Sequence, residues 1–343
     1  MSASAAPWMV WGGIALVLAG TVLTGAAIGE TRLPLATVYK VLANHLWQAG
    51  YPLDRIDAGI IWSYRLPRAI VAASCGAGLA LTGVVLQALL RNPLADPYLM
   101  GLSAGASTGA VLVSVAGIGA GAVSMSAGAL VGALAAFGAV VALAHAIPGG
   151  GRGNQGAAAI ILAGIAGSQM FNALTAFIIA RSANAEQARG IMFWLMGNLS
   201  GVRWEDVAPA VFVTCLGVGL CLWYRRALDA FTFGAESAAS LGVDIRRTRG
   251  LLITVTAVMV GVLVAKVGAI GFVGLVVPHA MRFLVGTRHQ RLVPASALAG
   301  AVFLVAADIL ARIIVPGQVL PIGVVTALVG APAFALILMR GAR

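Results

Sequence analysis

The sequence has little charge. Only 10% of its 343 residues are Asp, Glu, Lys or Arg, whereas 60% are hydrophobic. A soluble domain carries about a quarter charged residues. So few charges cannot cover a water-facing surface, so the composition excludes a soluble globular protein and indicates a polytopic membrane protein. The mean hydropathy of +0.98 agrees with that class.

Lysine and cysteine are also scarce. A phosphate-binding loop ends in Gly-Lys-Ser/Thr, but the only two lysines, Lys40 and Lys266, follow Tyr39 and Ala265. The chain therefore lacks a nucleotide-hydrolysing motif, and no enzymatic activity is predicted. The three cysteines lie in apolar runs without metal or redox spacing, so no metal site is predicted.

The net charge of +11 raises the alternative of a nucleic-acid-binding protein. Such proteins carry their basic residues in a patch or stripe. Here the arginines stand singly between apolar runs, as they do in the loops of membrane proteins. The sequence therefore predicts contact with membrane lipid and none with nucleic acid.

Charge-free runs, divided at glycine and proline, predict ten membrane spans, because about 20 apolar residues are needed to cross a bilayer. These are 8–29, 66–90, 98–117, 122–147, 156–181, 205–224, 249–267, 270–285, 294–314 and 321–340. An even number places both termini on one side. The lysines and arginines divide almost equally between the two sets of loops, so charge alone does not orient the chain.

Small residues are concentrated in three of these stretches, 76–83, 101–110 and 128–139, which read GAGLALTG, GLSAGASTGA and GALVGALAAFGA. Small side chains let helix backbones approach closely in lipid. These stretches predict a compact helical bundle.

Two loops between the spans have structure of their own. In 30–64, Val38, Val41, Leu42 and Leu46 recur at helical spacing, which predicts an interfacial helix with Trp47 and Tyr51 at headgroup depth. Segment 182–204 is too broken to span. It is either a half-helix buried at membrane depth or a surface loop.

A third segment, 227–249, predicts a short helix. Glu236 lies in its first turn, Ala238 and Leu241 share one face, and Gly242 ends it in a left-handed conformation. A small helix beside a membrane bundle suits docking on a partner.

Seven motifs in order along the chain resemble the FecCD family. They are RLPRAI (65–70), LQALLRNPLADPYLMGLSAGA (86–106), FWLMGNLSG (193–201), GFVGLVVPHAMR (271–282), PASALAGA (294–301), ADILAR (307–312) and LPIGVVTALVGAP (320–332). Members of this family are membrane permeases of ATP-binding-cassette (ABC) importers for iron–siderophore complexes, heme and cobalamin.

The resemblance implies an all-α type II importer fold with about ten helices, in a single transmembrane domain over 1–343. It also implies a homodimer in the bacterial inner membrane, with both termini cytoplasmic. The implied partners are two cytoplasmic ATPase subunits and a periplasmic substrate-binding protein. ATP would be used by the ATPase partner, and the chain itself would bind no cofactor.

The resemblance also implies roles for particular residues. Arginines in RLPR and ADILAR would form ion pairs with acidic residues of the binding protein; here these are Arg65, Arg68 and Arg312. The turn RNPLADP would form part of the cytoplasmic gate through Asn92, Pro93 and Leu94. A second gate element is expected near 154–158.

The segment 234–242 resembles the family's coupling helix, which docks in a cleft of the ATPase. Its expected contact residues are Gly234, Glu236, Ala238, Leu241 and Gly242. ATP-driven closure of the ATPase pair would push on this helix and rock the two halves of the bundle.

The cargo is predicted from charge. Arg181, Arg189, Arg203 and Lys266 are expected around the outer mouth, although the family usually has a small neutral residue at the position of Lys266. A basic vestibule attracts anions, which favours heme or a ferric siderophore over the alternative, cobalamin.

A transporter driven by an ion gradient is the alternative of a different class. Such proteins usually bury acidic relays, and Asp308 is the one carboxylate in the interior of a predicted span, since Glu205 and Asp206 stand at the very start of 205–224. Because Asp308 lies four residues before Arg312, we expect the two to pair on one helix face. His145, His279 and His289 stand alone, which indicates structural roles.

Overall fold

The computed structural model describes residues 7–31, 33–115, 117–118, 123–147, 153–182 and 184–341, and within them the chain is helical without strands. The α-helices, in order, are α1 (Pro7–Ala27), α2 (Leu35–Trp47), α3 (Arg55–Gly59), α4 (Leu66–Leu89), α5 (Leu102–Ser114), α6 (Met125–Ala146), α7 (Gly153–Ser182), α8 (Ala185–Leu195), α9 (Trp204–Trp223), α10 (Arg225–Thr232), α11 (Ala235–Ser240), α12 (Ile245–Val267), α13 (Val273–Val285), α14 (His289–Ile313) and α15 (Ile322–Gly341).

The ten predicted spans each coincide with an apolar helix. Among the described residues, six helices are long and apolar enough to cross a membrane: α3–α4, α6, α7, α9, α12 and α14. Shorter apolar helices occupy the other four positions: α1, α5, α13 and α15. The all-α, multi-pass fold class is therefore confirmed.

Two spans are shorter than the sequence predicts. Helices α5 and α13 have 13 residues each, about 20 Å of helix against a hydrocarbon thickness of about 30 Å. Helix α5 is shortened because a separate 3₁₀ turn, Pro97–Met100, ends at Gly101 with φ +73°. Helix α13 is shortened because irregular backbone over 268–272 precedes it.

Helix α4 is the centre of the bundle. All but one of its 24 residues are buried, and it contacts α1, α9, α12, α13 and α14. A π-helical turn, Ile60–Arg65, joins α3 to α4 and makes one continuous helical segment. Five of the other spans thus pack against one central helix.

Glycine pairs bring helices into backbone contact, as the small-residue stretches predict. A methyl group on Gly76 of α4 would lie 2.0 Å from the carbonyl oxygen of Gly300 of α14. One on Gly109 of α5 would lie 2.0 Å from the oxygen of Gly128 of α6. Only glycine permits these approaches, which let dispersion contacts and weak Cα–H···O bonds form along the seams.

The bundle has two ends, named here by their residues. The arginine end carries Arg65, Arg68 and Arg312, and the α11 end carries α10 and α11. Helix α1 ends at the arginine end, since Arg65 binds the carbonyl of Ala27. Helix α15 begins there, since Leu320 donates to the carbonyl of Ala311. Therefore α1 begins and α15 ends at the α11 end.

Segment 182–204 forms a short helix followed by buried irregular backbone. Asn184 and Gln187 cap α8 reciprocally, a strong helix start. The backbone after α8 then pairs with two other helix ends. Asn198 donates to the carbonyl of Val267 at 2.8 Å, and Ile322 donates to that of Gly197 at 2.9 Å. Because these bonds satisfy its polar groups, the backbone after α8 tolerates burial and is not a surface loop, whereas α8 itself has only Ile191 buried.

The interfacial helix predicted in 30–64 is present as α2. Val38 and Val41 are buried against the π-helical turn, while Trp47 is 70% exposed. Leu42 is half-buried, but Leu46 is exposed, so the buried face is narrower than predicted. Trp47 and Tyr51 are free to lie at the membrane surface.

Candidate functional site

A buried charge cluster lies at the arginine end. Asp308 of α14 accepts a hydrogen bond from Nε of Arg68 at 2.8 Å and lies 2.7 Å from Nη2 of Arg68 and 3.0 Å from Nη2 of Arg312. Arg68 also donates to the Tyr64 hydroxyl at 2.6 Å and to the Ser200 hydroxyl at 3.1 Å. One carboxylate thus links α4, α14 and the irregular backbone after α8. The predicted pairing of Asp308 with Arg312 is confirmed, and Arg68 is an additional partner.

Arg65 binds backbone carbonyls in the same region, and Arg312 binds one in addition to the Asp308 carboxylate. Arg65 donates to the carbonyls of Ala27 at 2.9 Å and Thr31 at 2.6 Å. Arg312 donates to the carbonyl of Gly25 at 2.9 Å. These bonds tie the end of α1, whose last carbonyls have no helical partner, to α4 and α14.

The burial of these arginines requires a correction. Docking to acidic residues of a partner needs exposed guanidinium groups, and Arg65, Arg68 and Arg312 are each at most 2% exposed. The sequence suggested docking because both RLPR and ADILAR lie at helix ends, where long side chains usually reach water. The structure instead uses the three side chains to join helices.

Of the residues predicted around the outer mouth, Lys266 is not a free cation. Its Nζ lies 2.7 Å from Oδ1 of Asp206, at the start of α9. Arg181, in the last turn of α7, and Arg189, in the middle of α8, are exposed. The basic vestibule is therefore weaker than predicted, because the charge of Lys266 is compensated by a residue 60 positions earlier in the chain.

The turn RNPLADP is fixed by hydrogen bonds between its own side chains and backbone. Arg91 has φ +48°, the Asn92 side chain accepts from the amide of Leu94 at 2.9 Å, and the Asp96 side chain accepts from that of Tyr98 at 2.9 Å. Such side-chain-to-backbone bonds fix a turn locally. Leu94 remains 46% exposed at the tip, which leaves it available to contact another molecule.

The predicted short helix of segment 234–242 is present as α11, between Gly234 at φ +112° and Gly242 at φ +82°. However, Ala238 and Leu241 do not share one environment. Ala238 is fully buried, whereas Leu241 follows the helix and is 72% exposed. Glu236 is exposed as well. Of the predicted contact residues, Leu241 and Glu236 can reach a partner, and Ala238 anchors α11 to the bundle.

The turn and the α11 segment touch each other. Nη1 of Arg91 lies 3.4 Å from the point where a Cβ on Gly234 would stand. Arg249 of α12 donates to the carbonyl of Leu89, which precedes the turn, at 3.0 Å. A displacement of α11 would therefore reach the turn through one contact.

Polar residues missed by the sequence reasoning line a groove between α5 and α7. Its volume is 380 Å³, and its polar lining residues are Asp96, Ser103, Ser168, Gln169 and Asn172. Burial raises the pKa of Asp96 to about 6, although the bond from the Tyr98 amide opposes this. Polar side chains within an apolar span are costly in lipid. Gln169 and Asn172 lie three residues apart in the predicted span 156–181, and this pair of polar residues could have indicated the groove from the sequence.

Two of the histidines have structural contacts. The ring of His289 binds Asp229 of α10 at 2.7 Å, which joins α10 to the first turn of α14. His279 packs edge-on against Phe283.

The gate element predicted near 154–158 lies in the first turns of α7, and the side chains of 154–157 are outside the described residues.

Comparison with known proteins supplies the family. The profile of the FecCD transport family matches residues 16–340. The cobalamin import system permease protein BtuC of Halobacterium salinarum is 43% identical over 81% of this chain and 73% of its own. The vitamin B12 import system permease protein BtuC of Salmonella paratyphi A is 38% identical over 90% of this chain and 93% of its own.

Two further relatives agree. The ABC transporter permease protein YvrB of Bacillus subtilis is 36% identical over 94% of this chain and 91% of its own. A solved inward-facing conformation of an ABC transporter of the metal-chelate type superposes with a TM-score of 0.81, at 29% identity, over 97% of this chain and 99% of that one.

Proposed function

Because this chain belongs to the FecCD transport family and is the membrane-embedded permease of an ABC importer, we propose that it moves a bulky metal chelate into the cytoplasm, with cobalamin as the first candidate. The observation that carries this assignment is the match of both sequence and fold over nearly the whole chain. The arginine end then faces outward, and the α11 end, with both termini, faces the cytoplasm of a bacterial inner membrane.

The motor is a separate pair of ATP-binding-cassette subunits, since this chain has no Gly-Lys-Ser/Thr sequence. They hold ATP and contact the α11 segment at Leu241 and Glu236, both of which are exposed. Closure of the motor pushes α11, and the contact between Gly234 and Arg91 carries that push to the turn RNPLADP. Asn92, Pro93 and Leu94 gate the pathway there, in a rigid-body switch.

The pathway itself runs along the polar groove between α5 and α7. Gln169 and Asn172 are uncharged, which suits passage of a large cargo that must not be held tightly. A second copy of the chain closes the pathway, because α7 presents most of its described surface outward. The polar groups then face water rather than lipid, which removes their cost.

A soluble binding protein delivers the cargo to the arginine end. Since Arg65, Arg68 and Arg312 are buried, its contact lies on the exposed arginines of the same end, Arg181, Arg189 and Arg203. Arginine suits this role because its planar group binds carboxylates bidentately.

Cobalamin replaces iron chelates as the first choice of cargo for two reasons. Relatives at 43% and 38% identity carry the name of cobalamin permeases. In addition, the anionic preference predicted from a basic vestibule depended partly on Lys266, which pairs with Asp206. An iron chelate remains the second candidate, supported by the superposition on a transporter of the metal-chelate type.

Reconstitution tests the proposal. Proteoliposomes that contain the chain, its ATPase and its binding protein should accumulate radiolabelled cyanocobalamin only when ATP is present. Uptake of heme or a ferric siderophore instead would overturn the cargo assignment but not the importer.

The ion-driven alternative makes an opposite prediction for the same vesicles. Uptake would survive the absence of ATP and collapse with an uncoupler. The structure disfavours this alternative, because the Asp308 carboxylate is fully buried and already paired with Arg68 and Arg312.

A further inference from the structure

A second, larger groove lies at the α11 end, and none of its lining residues lines the polar groove of the pathway. Its volume is 810 Å³, and it is bounded by α6, α11, α12 and the start of α7. This volume lies in the range of pockets that hold a small organic ligand. The proposed importer mechanism gives this groove no role.

The residues that line the groove change from polar to apolar with depth. On α12 the lining residues run from Arg246 and Arg249 in the first turns to Ile253 deeper in the bundle. On α6 they run from His145 in the last turn back to Val141 and Phe137. Because the helices are antiparallel, the polar groups of both lie at the same level. The groove is thus apolar inside and basic at its rim.

The basic groups at the rim have free hydrogen-bonding capacity. Nε of Arg249 is buried and has no hydrogen-bond partner among the described residues, although Nη2 binds the carbonyl of Leu89. Arg246 is exposed and takes part in no hydrogen bond or ion pair in the same set. Glu236 also lies at the rim. Two guanidinium groups against one carboxylate leave the rim net positive.

We propose that this groove binds an anionic phospholipid from the leaflet at the α11 end. The phosphate would lie between Arg246 and Arg249, and an acyl chain would lie against Phe137, Val141 and Ile253. Guanidinium groups bind phosphate through paired, charge-assisted hydrogen bonds. Basic pockets between transmembrane helices recognise lipid headgroups in this way.

A bound lipid would lie against the coupling segment itself, because Ala235, Glu236 and Ala239 of α11 line the same groove. It would fill the space into which α11 could otherwise move when the ATPase pushes on it. The lipid is therefore a structural part of the element that transmits force, and this consequence rests on the proposed coupling role of α11.

Titration of the delipidated full chain with phosphatidylglycerol, followed by native mass spectrometry, tests the site. Arg246→Gln should raise the apparent Kd about fivefold, the factor that corresponds to roughly 1 kcal/mol per basic residue near a membrane surface. Arg247→Gln is the matched control. Arg247 stands in the same turn with its side chain 90% exposed, pairs with Asp244 and does not line the groove. It should change the Kd less than twofold.

A variant that fills the groove separates a lipid from a free anion. Gly138 lines the groove, and a Cβ there would have no atom within 4 Å, so Gly138→Leu begins its side chain in open space beside the groove and keeps every charge. It should weaken phosphatidylglycerol binding at least fivefold. Phosphatidylcholine should bind more weakly than phosphatidylglycerol to the unaltered chain.

Three results would overturn the proposal. One is equal phosphatidylglycerol binding by the unaltered chain, Arg246→Gln and Gly138→Leu. Another is displacement of the lipid by millimolar inorganic phosphate, which would indicate a free-anion site. The third is retention of no lipid in a dimeric preparation, which would indicate that a second copy covers the groove. None of these depends on which cargo the importer carries.

Discussion

At the scale of single residues, Asp308 holds the arginine end together. Its carboxylate is fully buried between Arg68 and Arg312. Removing one partner of a buried ion pair leaves an uncompensated charge and costs about 3–5 kcal/mol. The cluster thus makes three positions interdependent, although they are separated by up to 244 positions in the sequence.

Asp308→Asn is therefore expected to destabilise the chain severely. The melting temperature in detergent, followed by fluorescence-detected size exclusion, should fall sharply, or folded protein should be lost. Asp244→Asn is the control, because Asp244 pairs with Arg247 at 3.3 Å on the surface. Its effect should stay within about 0.5 kcal/mol.

Arg68→Glu separates the structural role from the docking role that RLPR suggests. A second carboxylate beside Asp308 should abolish the folded chain, because like charges repel and both are buried. A variant that folds normally and loses only its affinity for the binding protein would restore the docking hypothesis.

The sequence predicts the pairing of Asp308 with Arg312, which are close in the chain, but not the contacts with distant residues. Asp308 and Arg312 are four residues apart on one helix, which the helical repeat makes visible. Other contacts form only when the chain folds. They are Arg68 with Ser200, Lys266 with Asp206, and His289 with Asp229. No spacing rule reaches partners so distant in the chain.

At the scale of elements, the α11 segment passes from the buried core to the exposed surface within four residues, Ala238 to Leu241. Ala238 points into the bundle, and Leu241 points out beyond the helix end. Substitutions at these two positions should therefore fail in different ways, although both introduce the same charge.

Leu241→Glu should leave the chain folded and uncouple it from its motor. ATP hydrolysis would continue, but cargo uptake should fall at least tenfold, as measured in proteoliposomes. Ala238→Glu should instead reduce the yield of folded chain, since it buries an unpaired carboxylate. Normal uptake by Leu241→Glu would exclude this residue from the contact with the ATPase.

Glycine seams set how closely the helices pack. Gly300→Ala places a methyl group 2.3 Å from the oxygen of Gly76, so α4 and α14 must separate at a cost of about 1–3 kcal/mol. The control is Gly219→Ala on α9, where a Cβ has no atom within 4 Å and alanine favours the helix. The melting temperature should fall for the first variant and hold or rise for the second.

The elements themselves were largely predictable. Charge-free runs locate each span, because lipid requires long apolar helices. The sequence did not predict α10 (Arg225–Thr232). It begins with two arginines, which suggest a loop, although Leu228 and Phe231 form a buried face. It also overestimated α5 and α13, since charge-free irregular backbone at membrane depth has the same composition as helix.

At the scale of the whole molecule, the alternation of helices sends the two ends to opposite sides of the membrane. The bonds of Arg65 to Ala27 and of Leu320 to Ala311 fix α1 and α15 at the arginine end. Which end faces the cytoplasm is not decided by arginine counts, because the loops divide them almost equally. The proposed contact of α11 with the ATPase would decide it, since ATP is cytoplasmic.

Single cysteines test this orientation directly. Cys75 and Cys221 are buried, and Cys215 is exposed, so Cys215→Ser provides a background of low reactivity. Trp47 at the arginine end and Leu241 at the α11 end are 70% and 72% exposed, which makes them a matched pair. On intact cells, a membrane-impermeant maleimide should label Trp47→Cys and spare Leu241→Cys until the membrane is permeabilised. The reverse pattern would place α11 outside, out of reach of any cytoplasmic ATPase, and would rule out the proposed coupling.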